Sequence, residues 1–142
     1  LKNTIASVLH ITPYRSYPSR VSADASKKRE YIRWARQDNR IIVEDDFESE
    51  FTPLKKPEET VFSMSGEKNV IYVNTFSKTI SPSIRTAYML LPKDMIETYK
   101  KTVGFYSCSV QYFNQLVLAE FINGGDFERH INRVRRKIRR NK

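Results

Sequence analysis

A lysine set among hydroxyl residues, with an arginine seven positions further on, is the grouping in this chain best suited to chemistry. It lies in Thr75-Phe76-Ser77-Lys78-Thr79-Ile80-Ser81-Pro82-Ser83-Ile84-Arg85. The approach to it, Val70-Ile71-Tyr72-Val73, is a short apolar run of the composition that buried strands favour. A primary amine at the end of such a strand is poorly placed as a solvated charge and well placed to condense with an aldehyde. Desolvation and the nearby cation would both help keep it reactive. Thr75 and Ser77 can donate to a phosphate, and Arg85 can hold one as a fork. A second group is Glu44-Asp45-Asp46, three carboxylates directly after Ile41-Ile42-Val43. For Glu44 and Asp46 the plain reading is a strand end capped in solvent. For Asp45 a positive partner is wanted, because unpaired buried charge is costly, and a protonated pyridine nitrogen would serve. Ligands of open α/β sheets sit at the carboxyl ends of strands, where Asp45 and Lys78 both fall. Amine, phosphate donors and carboxylate together describe a site for pyridoxal 5'-phosphate.

The elements that position these residues follow from apolar spacing and turn residues. Thr4 to Thr12 reads as a strand ended by Pro13, and Pro13 to Val21 as a loop. Ser22 or Asp24 can cap a helix running to about Asn39. Ile41 to Val43 is a short strand, and 52–68 reads as an exposed connection. After the strand at Val70, a further apolar run, Ala87 to Leu91, stops at Pro92. The pattern then turns helical: Lys93 to Val103 before Gly104, Ser109 to Asn123 before Gly124-Gly125, and a last helix capped by Asp126. In that helix Phe127, Ile131, Val134 and Ile138 form one apolar stripe. Strands alternating with helices indicate an α/β fold with a largely parallel sheet.

With 142 residues, 39% hydrophobic and 29% charged, the chain has the composition of one globular domain. No run approaches the ~20 apolar residues of a membrane-crossing helix, so no membrane partner is expected. The chain opens on Leu1 without a signal peptide, which reads as a piece of a longer protein. One cysteine, Cys108, excludes an internal disulfide and fits a cytoplasmic protein; it reads as a small buried hydrophobe in a helix. The net charge of +9 is local. From Phe127 to Lys142 eight cations less the single acid Glu128 give +7 of it. Such a helix can meet nucleic acid, or dock by its apolar stripe and leave the basic face in water. His10, His130 and Cys108 lack metal-ligand spacing and read as structural or exposed.

Three stretches carry a family resemblance. Glu44-Asp45-Asp46-Phe47-Glu48-Ser49-Glu50-Phe51 resembles the EDDYDSEF signature of MocR-type transcriptional regulators. Thr75 to Arg85 resembles their TFSKTLSPxLR cofactor-lysine signature, and Ile11-Thr12-Pro13-Tyr14-Arg15-Ser16-Tyr17-Pro18-Ser19 their TPSHQFPTG loop. These regulators join a GntR-type winged-helix DNA-binding domain to a fold-type I aminotransferase-like domain. The resemblance implies that 1–142 is part of that large domain, with about four neighbouring strands, the last antiparallel, flanked by helices. The winged helix and the small C-terminal domain would lie outside it. The resemblance also implies Lys78 on the aldehyde, Asp45 on the pyridine nitrogen, Thr75, Ser77 and Arg85 on the phosphate, and Phe47 and Tyr17 among the cofactor contacts. Phe47 stands where the family usually has a tyrosine whose hydroxyl meets the ring oxygen. Arg20 replaces a glycine, and Tyr14-Arg15 a Ser-His pair.

Two functions from different classes fit this reading. One is an effector domain that senses pyridoxal phosphate, with an amino-acid-like compound, in a homodimeric regulator that meets DNA through another domain. The other is a class I/II aminotransferase acting on an amino acid. An aminotransferase-like scaffold without cofactor is a third. The wording of the two signature runs favours the regulator.

Overall fold

Each apolar run expected to be a strand pairs with the next one in sequence. In the computed structural model, which describes residues 4–47, 49–51 and 58–140, β1 (Val8–Ile11), β2 (Ile41–Asp46), β3 (Val70–Thr75) and β4 (Ala87–Leu90) form one sheet in that order. β1, β2 and β3 are parallel, and β4 runs antiparallel to β3. The architecture is the expected α/β one. β1 is shorter than the expected Thr4–Thr12. β2 is longer than its apolar core, because the ladder continues through Glu44, Asp45 and Asp46.

That continuation overturns the solvent-cap reading of Glu44 and Asp46. Side chains alternate across a strand, so Ile42, Glu44 and Asp46 share one face while Ile41, Val43 and Asp45 share the other. The first face is the core: Glu44 and Asp46 are 0% exposed. Ile11, Ile42 and Val70 pack there against Ile32, Trp34 and Ala35 of α1 (Ala25–Gln37) and Val61 of α2 (Val61–Ser65). Of the two candidate caps for α1, Asp24 is the one used, its carboxylate accepting the Lys27 amide at 2.7 Å. Ser22 instead accepts the Arg15 amide at 3.0 Å.

The expected exposed connection over 52–68 is also corrected. Residues 52–57 lie outside the described residues, and the part that follows contains α2, with Val61 and Ser65 buried. Five residues are too few to show helical periodicity, and the helix depends on a distant partner. Glu44 receives the Val61 and Phe62 amides at 2.8 Å each. It also accepts the Tyr14 hydroxyl at 2.9 Å. Thr60 caps the Ser63 amide, and Gly66, at φ 71°, closes the helix in the left-handed conformation. Buried Lys28 completes the cluster, donating to the Glu59 carbonyl at 2.9 Å with its ammonium 4.5 Å from the Tyr14 ring centre. Burial pushes the Glu44 carboxyl above its ordinary value, against the pull of its three donors.

The remaining elements are α3 (Phe76–Thr79), α4 (Ile96–Val103) after a 3₁₀ turn at Lys93–Met95, α5 (Tyr112–Asn123) and α6 (Asp126–Arg140). Cys108 lies outside any helix and is exposed, contrary to expectation. α6 docks by its apolar stripe, with Ile131 buried and the Phe127 and Phe76 rings edge to face, their centres 6.0 Å apart. Among the described residues no helix is long and apolar enough to cross a membrane.

Glu44→Ala strands the Tyr14 hydroxyl and two helix amides in the core. We expect it to cost about 3 kcal/mol, at roughly 1 kcal/mol or more per abandoned partner. A urea-unfolding midpoint unchanged from wild type would refute that assignment.

Candidate functional site

The parallel pairing of β2 and β3 sets Asp45 opposite Val73, so the carboxyl ends of the two strands lie side by side. Asp45 is on the face away from the α1 and α2 core, with its side chain 40% exposed. Its Oδ2 is 3.5 Å from Nε2 of His10 on β1, a partner that a lone histidine in the sequence did not announce. One residue beyond β2, the Phe47 ring lies with its centre 4.8 Å from the Lys78 ammonium. Lys78 itself, in α3, is exposed. The burial expected for it from the apolar strand before it is not seen among the described residues, where Lys78 lies in the four-residue helix after β3.

The two hydroxyls and the arginine do come together. Thr75 Oγ1 accepts the Ser77 amide at 3.2 Å and donates to the Thr86 carbonyl at 3.2 Å. Ser77 Oγ donates to the Ile84 carbonyl at 2.6 Å, and Arg85 Nη1 donates to Ser77 Oγ at 3.4 Å. The same residues thus close the loop between β3 and β4 and gather a phosphate-type donor set. Tyr17 stands apart at 83% exposure, in the loop before α1, with a cis bond to Pro18.

Beneath this surface runs a buried polar network. Asp46 accepts the Tyr72 hydroxyl at 2.8 Å and the Ser49 amide at 2.9 Å. Asn74 donates to Tyr72 Oη at 2.8 Å and to Glu50 Oε1 at 2.7 Å. Arg135 of α6 donates to the Glu50 carbonyl at 2.6 Å, and His130 lies 2.8 Å from the Thr79 carbonyl. Arg135 and His130 are therefore joints between α6 and the end of the site. Arg133, Arg136, Lys137 and Arg140 line a hollow on the outer side. Burial raises the carboxyl of Glu50 and the phenols of Tyr72 and Tyr88 above their ordinary values, Asp46 adding repulsion to each. Glu50 Oε2 is buried with no hydrogen-bond partner among the described residues. No group of three or more His, Cys, Asp or Glu among the described residues could hold a metal.

No family model matches the chain. It is similar to the HTH-type transcriptional regulator YdeL of Bacillus subtilis, 30% identical over 140 residues, covering 99% of this chain and 30% of YdeL. It is also similar to the probable rhizopine catabolism regulatory protein MocR of Rhizobium meliloti, 27% identical over 129 residues, covering 91% of this chain and 26% of MocR. In structure it resembles the kynurenine aminotransferase of Pyrococcus horikoshii, solved with PMP. That match has a TM-score of 0.82 and 25% identity, and covers 95% of this chain and 33% of the enzyme. In sequence the chain is thus similar to HTH-type transcriptional regulators, MocR among them, in a stretch whose fold is that of the fold-type I aminotransferases. It spans about a third or less of the length of these proteins.

Glu50 supplies a pH prediction. Its carboxyl is raised in the folded state, so the native protein binds its proton more tightly than the unfolded one. Stability must then fall as pH rises from the ordinary carboxylate value through the raised one. Glu50→Gln cannot titrate, so wild type should lose ground to the variant across that window and no further above it. A difference independent of pH, in urea unfolding followed across it, would disprove this.

Proposed function

We propose that the chain is the pyridoxal phosphate-binding part of an aminotransferase-like effector domain, and that the complete protein is a MocR-type regulator meeting DNA through a separate winged-helix domain. The observation that carries the reading is the convergence at adjacent strand ends of an exposed lysine, a half-exposed aspartate and a Thr-Ser-Arg cluster. These residue types fit the cofactor, since an aldehyde, a basic ring nitrogen and a phosphate dianion each find a matching group. Bound there, pyridoxal phosphate supplies an aldehyde and an electron-withdrawing ring.

Lys78 is the anchoring amine, and its position over the Phe47 ring restricts where its nitrogen can reach. Asp45 holds a proton on the ring nitrogen by its negative charge. Arg85 meets the phosphate, and Thr75 and Ser77 join it by turning their hydroxyl protons from the Thr86 and Ile84 carbonyls. Phe47 offers the ring an apolar contact and no hydroxyl. Occupancy of this site by the cofactor alone, or together with an amino compound near Lys78, would bias the domain between two states. Regulation then requires only that DNA affinity differ between them.

In the full-length protein, pyridoxal phosphate should produce a visible absorption band that Lys78→Ala abolishes. Arg85→Ala should weaken binding about tenfold, the value of a charge-assisted phosphate contact. An amino compound that removes the band should change affinity for operator DNA without multiple turnovers. Sustained turnover would make the protein an aminotransferase, and a wild type without the band would sink the cofactor reading.

A further inference from the structure

We propose that His10 is a positioning residue for Asp45, acting through that carboxylate on the pyridine nitrogen. This rests on the pyridoxal phosphate reading and deepens it. The parallel register explains why the two meet. His10 pairs with Val43, and Val43 and Asp45 lie two apart on β2, so all three share the face away from the core. Towards β3 and β4 the residues in register with Asp45 are apolar: Val73 stands opposite it on β3, and Met89 opposite Val73 on β4. Glu44 and Asp46 turn to the buried face. On the β1 side the imidazole Nε2 of His10 is 3.5 Å from Asp45 Oδ2 and can orient that carboxylate.

That distance is an ion-pair separation, longer than an N–H···O hydrogen bond, and the two side chains are 61% and 40% exposed. In isolation the pair is worth little to stability. Its use is directional. A carboxylate that must present one oxygen to a ring nitrogen gains from having the other held, as a metal-bound histidine gains from an orienting carboxylate. The Nε2–H tautomer of the neutral imidazole is sufficient for this.

The test separates an effect routed through the ring nitrogen from a general one. Full-length wild type, His10→Phe and His10→Gln are titrated, by absorbance, with pyridoxal phosphate and with the analogue whose ring nitrogen is replaced by C–H. His10→Phe should bind pyridoxal phosphate about fivefold more weakly while its affinity for the analogue is unchanged. His10→Gln, whose amide N–H occupies the place of Nε2–H, should restore binding to within about twofold. Once Asp45→Asn is present, adding His10→Phe should change nothing further. Equal loss for both ligands, or no loss for either, overturns the assignment while the cofactor reading stands. A wild type that binds neither ligand overturns both.

Discussion

Everything at this site depends on the pleat of one strand. Three carboxylates in succession cannot share an environment when neighbouring side chains point to opposite faces of a sheet. Continuing the β2 ladder through Glu44, Asp45 and Asp46 puts two of them in the core at 0% exposure and leaves the middle one outside. Buried carboxylates are tolerated only with partners, and each has them. Glu44 takes the Tyr14 hydroxyl and the first amides of α2, while Asp46 takes Tyr72 and the Ser49 turn. The two inward acids fix the strand's neighbours, and that anchoring gives the outward one a defined place.

The buried network reaches the site from below. Tyr72 and Asn74 occupy the core face of β3, so the strand that ends at Thr75 is held by Asp46 on one side and Glu50 on the other. Arg135 and His130 then tie α6 to Glu50 and Thr79. Only one face of that basic helix is solvated. The opposite side supplies the two polar joints as well as the apolar stripe, so charge and position are set by different residues of one element.

The comparisons set one fold beside two functions. The chain shares its architecture with an aminotransferase, and its sequence relatives include both regulators and aminotransferases. A shared fold leaves the role to the site and to what is attached to it. Thr75, Ser77 and Arg85 illustrate the economy of such a site, because the bonds that close the loop before β4 also assemble the donors.

The strands were legible in the sequence, because apolar runs and turn residues are local properties, while their order followed from the family resemblance. Asp45, Thr75, Ser77, Lys78 and Arg85 were named as candidates from residue type and spacing, and Phe47 from the resemblance. The docked stripe of α6 was legible too. The inward direction of Glu44 and Asp46 was not legible, since it depends on how far the β2 ladder extends. Nor was α2, five residues whose first amides are satisfied by a carboxylate 17 positions earlier. His10 looked like an isolated histidine, and only the β1–β2 register brings it to Asp45. Lys78 looked buried from the apolar strand before it, yet it lies in the short helix that follows and is exposed among the described residues. Sequence determined which groups are present and in what order. Tertiary structure decided which of them face one another, because burial and pairing are set by contacts between residues that are distant in the chain.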